Sequence, residues 1–196
     1  MAKLYFRYGA MNCGKSTAIM QVSYNYFERG MKALIVKPSV DIKGDDKVVS
    51  RLGIDRKVDY LIKPDEDIFK VIKDHLTKEK IHCLLVDEVQ FLKAKQIDEL
   101  LSVAVTLGVP VICYGLRTDF LMNGFEGSAR LLLIAHSIEE LKTICTCGRK
   151  ATLNGRMIDG KYVFEGDQVA IDGENQVAYQ SLCAACYLKY RGEIHG

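Results

Sequence analysis

Apolar positions along the chain follow two rhythms. Short apolar runs occupy residues 4–8 (Leu-Tyr-Phe-Arg-Tyr), 33–36 (Ala-Leu-Ile-Val), 81–86 (Ile-His-Cys-Leu-Leu-Val) and 109–114 (Val-Pro-Val-Ile-Cys-Tyr). Runs this short predict buried strands; Gly9 and Pro38 mark the exits of the first two, and the third ends at two acids. Pro110 stands at the start of the fourth run, where a residue need not donate to a ladder. Between the runs, apolar residues recur at helical spacing over 15–28, 68–76 and 94–107. Ile19, Val22 and Tyr26 share one face of the first helix, and Gly30 and Gly108 follow the ends of the first and third. Residues 43–57 are polar and charged and read as a flexible loop. Strands alternating with helices predict an α/β fold with a parallel sheet covered by helices on both faces. Beyond residue 142 long apolar runs give way to cysteine pairs, glycines and short polar segments. This predicts two domains, 1–142 and 143–196.

A chain of 196 residues can bury a substantial core. With 48% hydrophobic and 27% charged residues it has an ordinary globular balance. The net charge of +2 comes without a basic stripe, which disfavours a nucleic-acid polymer as partner. No apolar run approaches the roughly 20 residues of a membrane span. The first residues show no cleavable-signal pattern, and a cytoplasmic location is expected. Disulfides are rare there, so the seven cysteines point toward metal binding wherever their spacing allows it.

Gly9-Ala10-Met11-Asn12-Cys13-Gly14-Lys15-Ser16 fits G-x-x-x-x-G-K-[ST] and sits between a predicted strand and a predicted helix. Glycines let such a loop curl its N–H groups toward phosphate oxygens, and the helix N-terminus adds unpaired donors. Lys15 is placed for the β- and γ-phosphates of ATP and Ser16 for Mg²⁺. The expected fold is therefore P-loop NTPase-like. The third strand ends in Asp87-Glu88. Carboxyl ends of parallel strands face the ligand crevice, so Asp87 is a second candidate for Mg²⁺. Glu88 is a candidate base, for water in an ATPase or for a substrate hydroxyl in a kinase.

Cys145-Thr146-Cys147 and Cys183-Ala184-Ala185-Cys186 form two close pairs. Four thiolates make a closed tetrahedral zinc site, which would be structural. Gly148 would help the chain turn around the metal. Closing this site would brace the base of the segment 148–182 as a lid over a ligand. Cys83 and Cys113 lie in apolar runs and are expected in the core. Cys13 lies within the phosphate loop, where oxidation would inhibit.

Together these residues resemble the cytosolic-type (type II) thymidine kinases, in a bacterial-like form. Gly9 to Thr17 is similar to G-x-M-x-x-G-K-S-T, and Asp87-Glu88-Val89-Gln90-Phe91 to D-E-x-Q-F. The segment from Tyr114 to Phe120, followed by Phe125, resembles the family's next strand exit, Lys37-Pro38 with Asp41 its second-strand exit, and Tyr179 its tyrosine before the last cysteine pair. The resemblance implies ATP-dependent transfer to the 5′-hydroxyl of thymidine, with deoxyuridine also accepted, in nucleotide salvage. It implies Glu88 as the base, a pocket for the pyrimidine formed by Met11, Phe91, Leu116, Phe120 and Phe125, and Tyr179 closing it. It implies backbone contacts to the base edge from a lasso around Val169, Ile171, Asp172 and Gly173. It also implies feedback inhibition by dTTP and a homotetramer. The C-x-C pair resembles one bacterial subgroup. Asp172 stands where many members carry glycine, and the lasso is slightly long. A P-loop ATPase with a zinc ribbon for DNA or protein is the alternative, disfavoured by the near-neutral charge.

Overall fold

The structure is a computed structural model. It describes residues 1–41, 46–49, 53, 55–168 and 177–192. In chain order, β1 (Leu4–Tyr8) leads to α1 (Lys15–Phe27) and β2 (Ala33–Pro38), followed by the short strands β3 (Lys47–Val49), β4 (Asp55–Lys57) and β5 (Tyr60–Ile62). Next come α2 (Ile68–Leu76), β6 (Cys83–Val86), a 3₁₀ turn at Val89–Phe91, α3 (Ala94–Thr106), β7 (Val111–Gly115), α4 (Glu126–Ile134) and β8 (Ser137–Glu140). The remainder holds β9 (Thr143–Ile144), β10 (Lys150–Ala151), β11 (Leu153–Ile158), β12 (Lys161–Val163), β13 (Val177–Leu182) and α5 (Ala184–Arg191).

The central sheet has the order β5-β2-β6-β7-β1-β8. All its pairings are parallel. Strand side chains alternate between its two faces, as the pleat requires. Leu34 and Val36, Leu84 and Val86, and Val111 and Cys113 pack with Ile72 of α2, Ile97 and Leu100 of α3, and Leu131 of α4. Their alternates Ala33, Ile35, Cys83, Leu85 and Tyr114 pack with Ile19 of α1 and with Val48 of β3. The expected α/β fold with both faces covered is therefore present. One face carries α1 and a hairpin, and the other carries three helices.

Two differences from the sequence reading concern small elements. Within residues 43–57, read as a loop, the described residues include β3 and β4, paired antiparallel. Their charges face each other as Lys47–Asp55 and Lys57–Asp46 pairs, 2.7 and 2.8 Å apart, while Val48 is buried. Within the two strands only Val48 and Val49 are apolar, side by side in sequence, too little for a periodic pattern. The C-terminal part forms an antiparallel sheet, β12-β11-β13, and a β9–β10 hairpin. It has a small core of its own around Leu182, Tyr187, Cys145 and Cys183.

Candidate active site

Parallel strands bring their carboxyl ends to one edge of the sheet, and the loops leaving β1, β2, β6 and β7 meet there. The loop after β1 folds back tightly. The N–H of Gly9 bonds to the carbonyl of Gly115 on β7. A Cβ at Gly9 would lie 2.4 Å from Cys13 Sγ and 2.6 Å from the carbonyl of Leu141, so only glycine fits. Gly14, at φ 85°, turns the chain into α1, and no side chain caps that helix. By contrast Asp67 caps α2 and Cys183 caps α5. A helix start without a side-chain cap suits an anion. Lys15 is buried, with Nζ 3.4 Å from the Ala10 carbonyl and 3.8 Å from Cys13 Sγ. Ser16 and Thr17 follow it, half-buried.

At the end of β6, Asp87 is 4% exposed and its N–H is held by the Val36 carbonyl. Burial, then the charge of Glu88, push its carboxyl up to about 8; Lys15 acts in the opposite direction. A buried carboxylate held against a neighbouring one favours a bound cation. Glu88 adopts the left-handed region, at φ 47° and ψ 38°. A non-glycine residue there is costly and persists only when its surroundings hold it. Here they do. Its N–H bonds to Asp87 Oδ1 at 2.9 Å, its carbonyl accepts from Phe91, and its carboxylate accepts from the side-chain amide of Gln90. Nearby, the buried Lys37 pairs with Asp41 at 3.0 Å.

Among the apolar candidates, Leu116 is tied by its N–H to Gln90, two residues after Glu88. Phe91 and Phe125 meet edge to face at 5.8 Å. Leu116, Phe120 and Phe125 are buried, while Phe91 and Met11 are half-buried. Arg156 of β11 lies with its guanidinium 3.7 Å from the Phe120 ring centroid, a cation–π contact. Its other bonds go to the carbonyls of Glu165 and Asp167. Tyr179 of β13 pairs with Arg156 in register, and its carbonyl accepts from Asn12. Val169, Ile171, Asp172 and Gly173 lie outside the described residues.

The thiols of Cys145, Cys147, Cys183 and Cys186 lie within 4.8 Å of one another, a set that could hold a metal ion. Gly148, at φ 82°, closes the turn after the first pair, and its N–H returns to the Cys145 carbonyl. Burial raises the Cys145 thiol, but hydrogen bonds from the backbone at Cys147 and Cys183 outweigh it and bring the group down to about 6. Hydrogen bonding to Cys147, Cys145 and Cys183 pushes Cys186 up to about 12. Donors around a cysteine sulfur favour the thiolate, the form that binds a metal. Cys83 and Cys113 are buried core residues, as their runs predict.

The thymidine kinase family model matches residues 2–187. The chain belongs to the thymidine kinase family. It is 48% identical over 196 residues to the thymidine kinase of Haemophilus influenzae, covering 99% of this chain and all of that one. It is 45% identical over 197 residues to the thymidine kinase of Mannheimia succiniciproducens, covering both chains fully. It is 48% identical over 196 residues to that of Pasteurella multocida, covering 99% of each.

Further contacts join these loops. Asn154 of β11 accepts from the Met11 N–H and donates to the Thr118 carbonyl. Tyr187 of α5 donates to the Phe120 carbonyl at 2.7 Å. Gln90 was visible only as a motif letter. Arg117 lies over the Tyr8 ring, 5.5 Å from its centroid. Their signal in the sequence is faint, since a buried Asn such as Asn154 within a short strand looks like any polar alternation. Among the described residues, no helix is long and apolar enough to cross a membrane.

Proposed function

We infer that this protein transfers the γ-phosphate of ATP to the 5′-hydroxyl of thymidine, giving dTMP in nucleotide salvage, with deoxyuridine also accepted. The observation that carries this reading is the meeting, at one edge of the sheet, of an uncapped phosphate loop with the Asp87–Glu88 pair, in a chain of the thymidine kinase family.

In this reading the phosphate loop, Gly9 to Thr17, cradles the phosphates and Lys15 carries the charge that neutralises the β- and γ-oxygens. Ser16 and Asp87 would hold Mg²⁺, which offsets phosphate charge when bound. The burial of the Asp87 carboxyl beside a second acid supports that assignment. Glu88 takes the proton from the 5′-hydroxyl. Its fixed backbone aims the carboxylate before substrate arrives, and phosphoryl transfer gains most from positioning and charge. Phe91 and Phe125 offer aromatic surface to the pyrimidine, Met11, Leu116 and Phe120 complete the apolar pocket, and Tyr179 closes it from β13. Val169, Ile171, Asp172 and Gly173 would read the base edge through their backbone.

The four-cysteine cluster suits zinc. Sulfurs around a tetrahedral zinc lie about 3.8 Å apart, from Zn–S bonds of about 2.3 Å, and Cys147 and Cys183 are already 3.6 Å apart. With all four positions taken, the metal would be structural. The small core around it supports a division into a kinase domain, 1–142, and a zinc-binding lasso domain, 143–196. Inhibition by dTTP follows if its thymidine part fills the base pocket and its phosphates reach the phosphate loop. A homotetramer and a cytoplasmic location complete the proposal. The test is ADP release from MgATP with and without thymidine. Acceptor-dependent release supports the reading; hydrolysis indifferent to thymidine sinks it.

A further inference from the structure

Gln90 follows Glu88 by two residues, in the 3₁₀ turn Val89–Phe91, and is 2% exposed. A buried amide must find partners for both its ends. Its Nε2 donates to the Glu88 carboxylate. Its Oε1 accepts from the N–H of Leu116 at 3.1 Å. An N–H can only donate and an ionised carboxylate can only accept, so a single amide orientation serves both. Leu116 is held from its other side as well, its carbonyl accepting from the hydroxyl of the fully buried Ser128 at 2.5 Å. The packing leaves no slack. A Cβ at Gly115 would lie 2.7 Å from Gln90 Oε1, and one at Gly127 would lie 2.6 Å from the carbonyls of Val89 and Leu92.

We propose that Gln90 is a positioning residue for Glu88, and that through Leu116 it ties the carboxylate to the wall of the base pocket. The side chain touches no reacting atom. It fixes the direction of a carboxylate whose own backbone sits in a strained region. A wall displaced by a poorly fitting base would move the Leu116 N–H, and with it Gln90 and Glu88. This rests on Glu88 being the base, as proposed above.

Two variants separate the roles. Gln90→Asn keeps an amide but is one carbon too short to span both partners. Gln90→Met is neutral, of similar shape, and loses both bonds. Steady-state kinetics with thymidine and MgATP, and thermal midpoints, are measured for each. At temperatures well below the thermal midpoint of each, positioning predicts that both variants lose about 10- to 100-fold in kcat, with KM for ATP within about 2-fold of the parent. A purely structural Gln90 predicts lowered thermal midpoints with parental kcat in whichever variant folds, and that result overturns the proposal. If Gln90→Asn does not fold, parental kcat in Gln90→Met overturns it alone. Parent protein without thymidine-dependent turnover overturns the proposed function itself, and an active parent with an equally active Glu88→Gln removes the base, so these failures are distinct.

Discussion

The Oδ1 of Asn154 lies 2.7 Å from the backbone nitrogen of Met11, so a strand of the C-terminal ribbon accepts a hydrogen bond from the phosphate loop itself. The same amide donates 2.9 Å to the carbonyl of Thr118, in the loop that follows β7 and leads to Phe120. Asn12 extends the contact, donating to the Tyr179 carbonyl and accepting from the Thr143 hydroxyl. The ribbon thus braces the loop after β1 and the loop after β7 against each other.

Asn154→Ala removes the brace. It leaves the Met11 N–H and the Thr118 carbonyl without this partner in a largely buried place. A cost of about 1–3 kcal/mol in stability is expected, with KM rising for both ATP and thymidine. Denaturant melts and two-substrate kinetics check this; a change confined to one substrate would separate the two loops.

Glu88→Gln keeps size and hydrogen bonding but cannot accept a proton. MgATP affinity is expected to hold within a few-fold while kcat falls by about 10²- to 10⁴-fold. Nucleotide titration and single-turnover assays measure the two. Unchanged turnover would remove Glu88 as the base.

Asp87 predicts a pH dependence. Burial and the charge of Glu88 raise its carboxyl to about 8 in the folded protein, against about 3.9 in an unfolded chain. A raised acid favours its neutral form when folded. The stability it carries is therefore full below about pH 4 and is lost as pH rises through about 8. Without Mg²⁺, thermal midpoints are expected to fall across this window more steeply than those of Asp87→Asn. MgATP is expected to remove the difference and release a proton, which calorimetry in buffers of different ionisation enthalpy detects.

Cys183→Ser tests the metal. Cys183 also caps α5, its Sγ accepting the Cys186 N–H. Serine is a good cap, so this change removes a thiolate and spares the helix start. Loss of stoichiometric zinc, earlier proteolysis within 148–182 and a higher KM for thymidine are expected. Full activity in a zinc-free parent protein would contradict a structural metal.

Much of this architecture was legible because it is local. The core strands read as apolar runs because their alternating side chains are buried on both faces. The phosphate loop, the acids after β6 and the cysteine pairs are each contiguous, and spacing alone exposes them. What escaped is short or distant. β8 is an exposed edge strand with only Ile138 as an apolar residue, and β5 is three residues long. In α4, Gly127 and Ser128 open the helix where a propensity reading expects neither. Gly127 is required there because its backbone packs against the turn after β6. The contacts that join the site, Asn154 to Met11 and Tyr187 to Phe120, span most of the chain, and nothing in local spacing announces them.

Identifying the product decides whether this protein is a thymidine-phosphorylating enzyme. Purified protein is given γ-labelled ATP and a panel of deoxynucleosides, with a no-acceptor control, and products are resolved by mass and by label. Label is expected on the 5′-position of thymidine, also on deoxyuridine, and far less with deoxycytidine or purine deoxynucleosides. Label appearing only as free phosphate, whether or not a nucleoside is present, would contradict that activity.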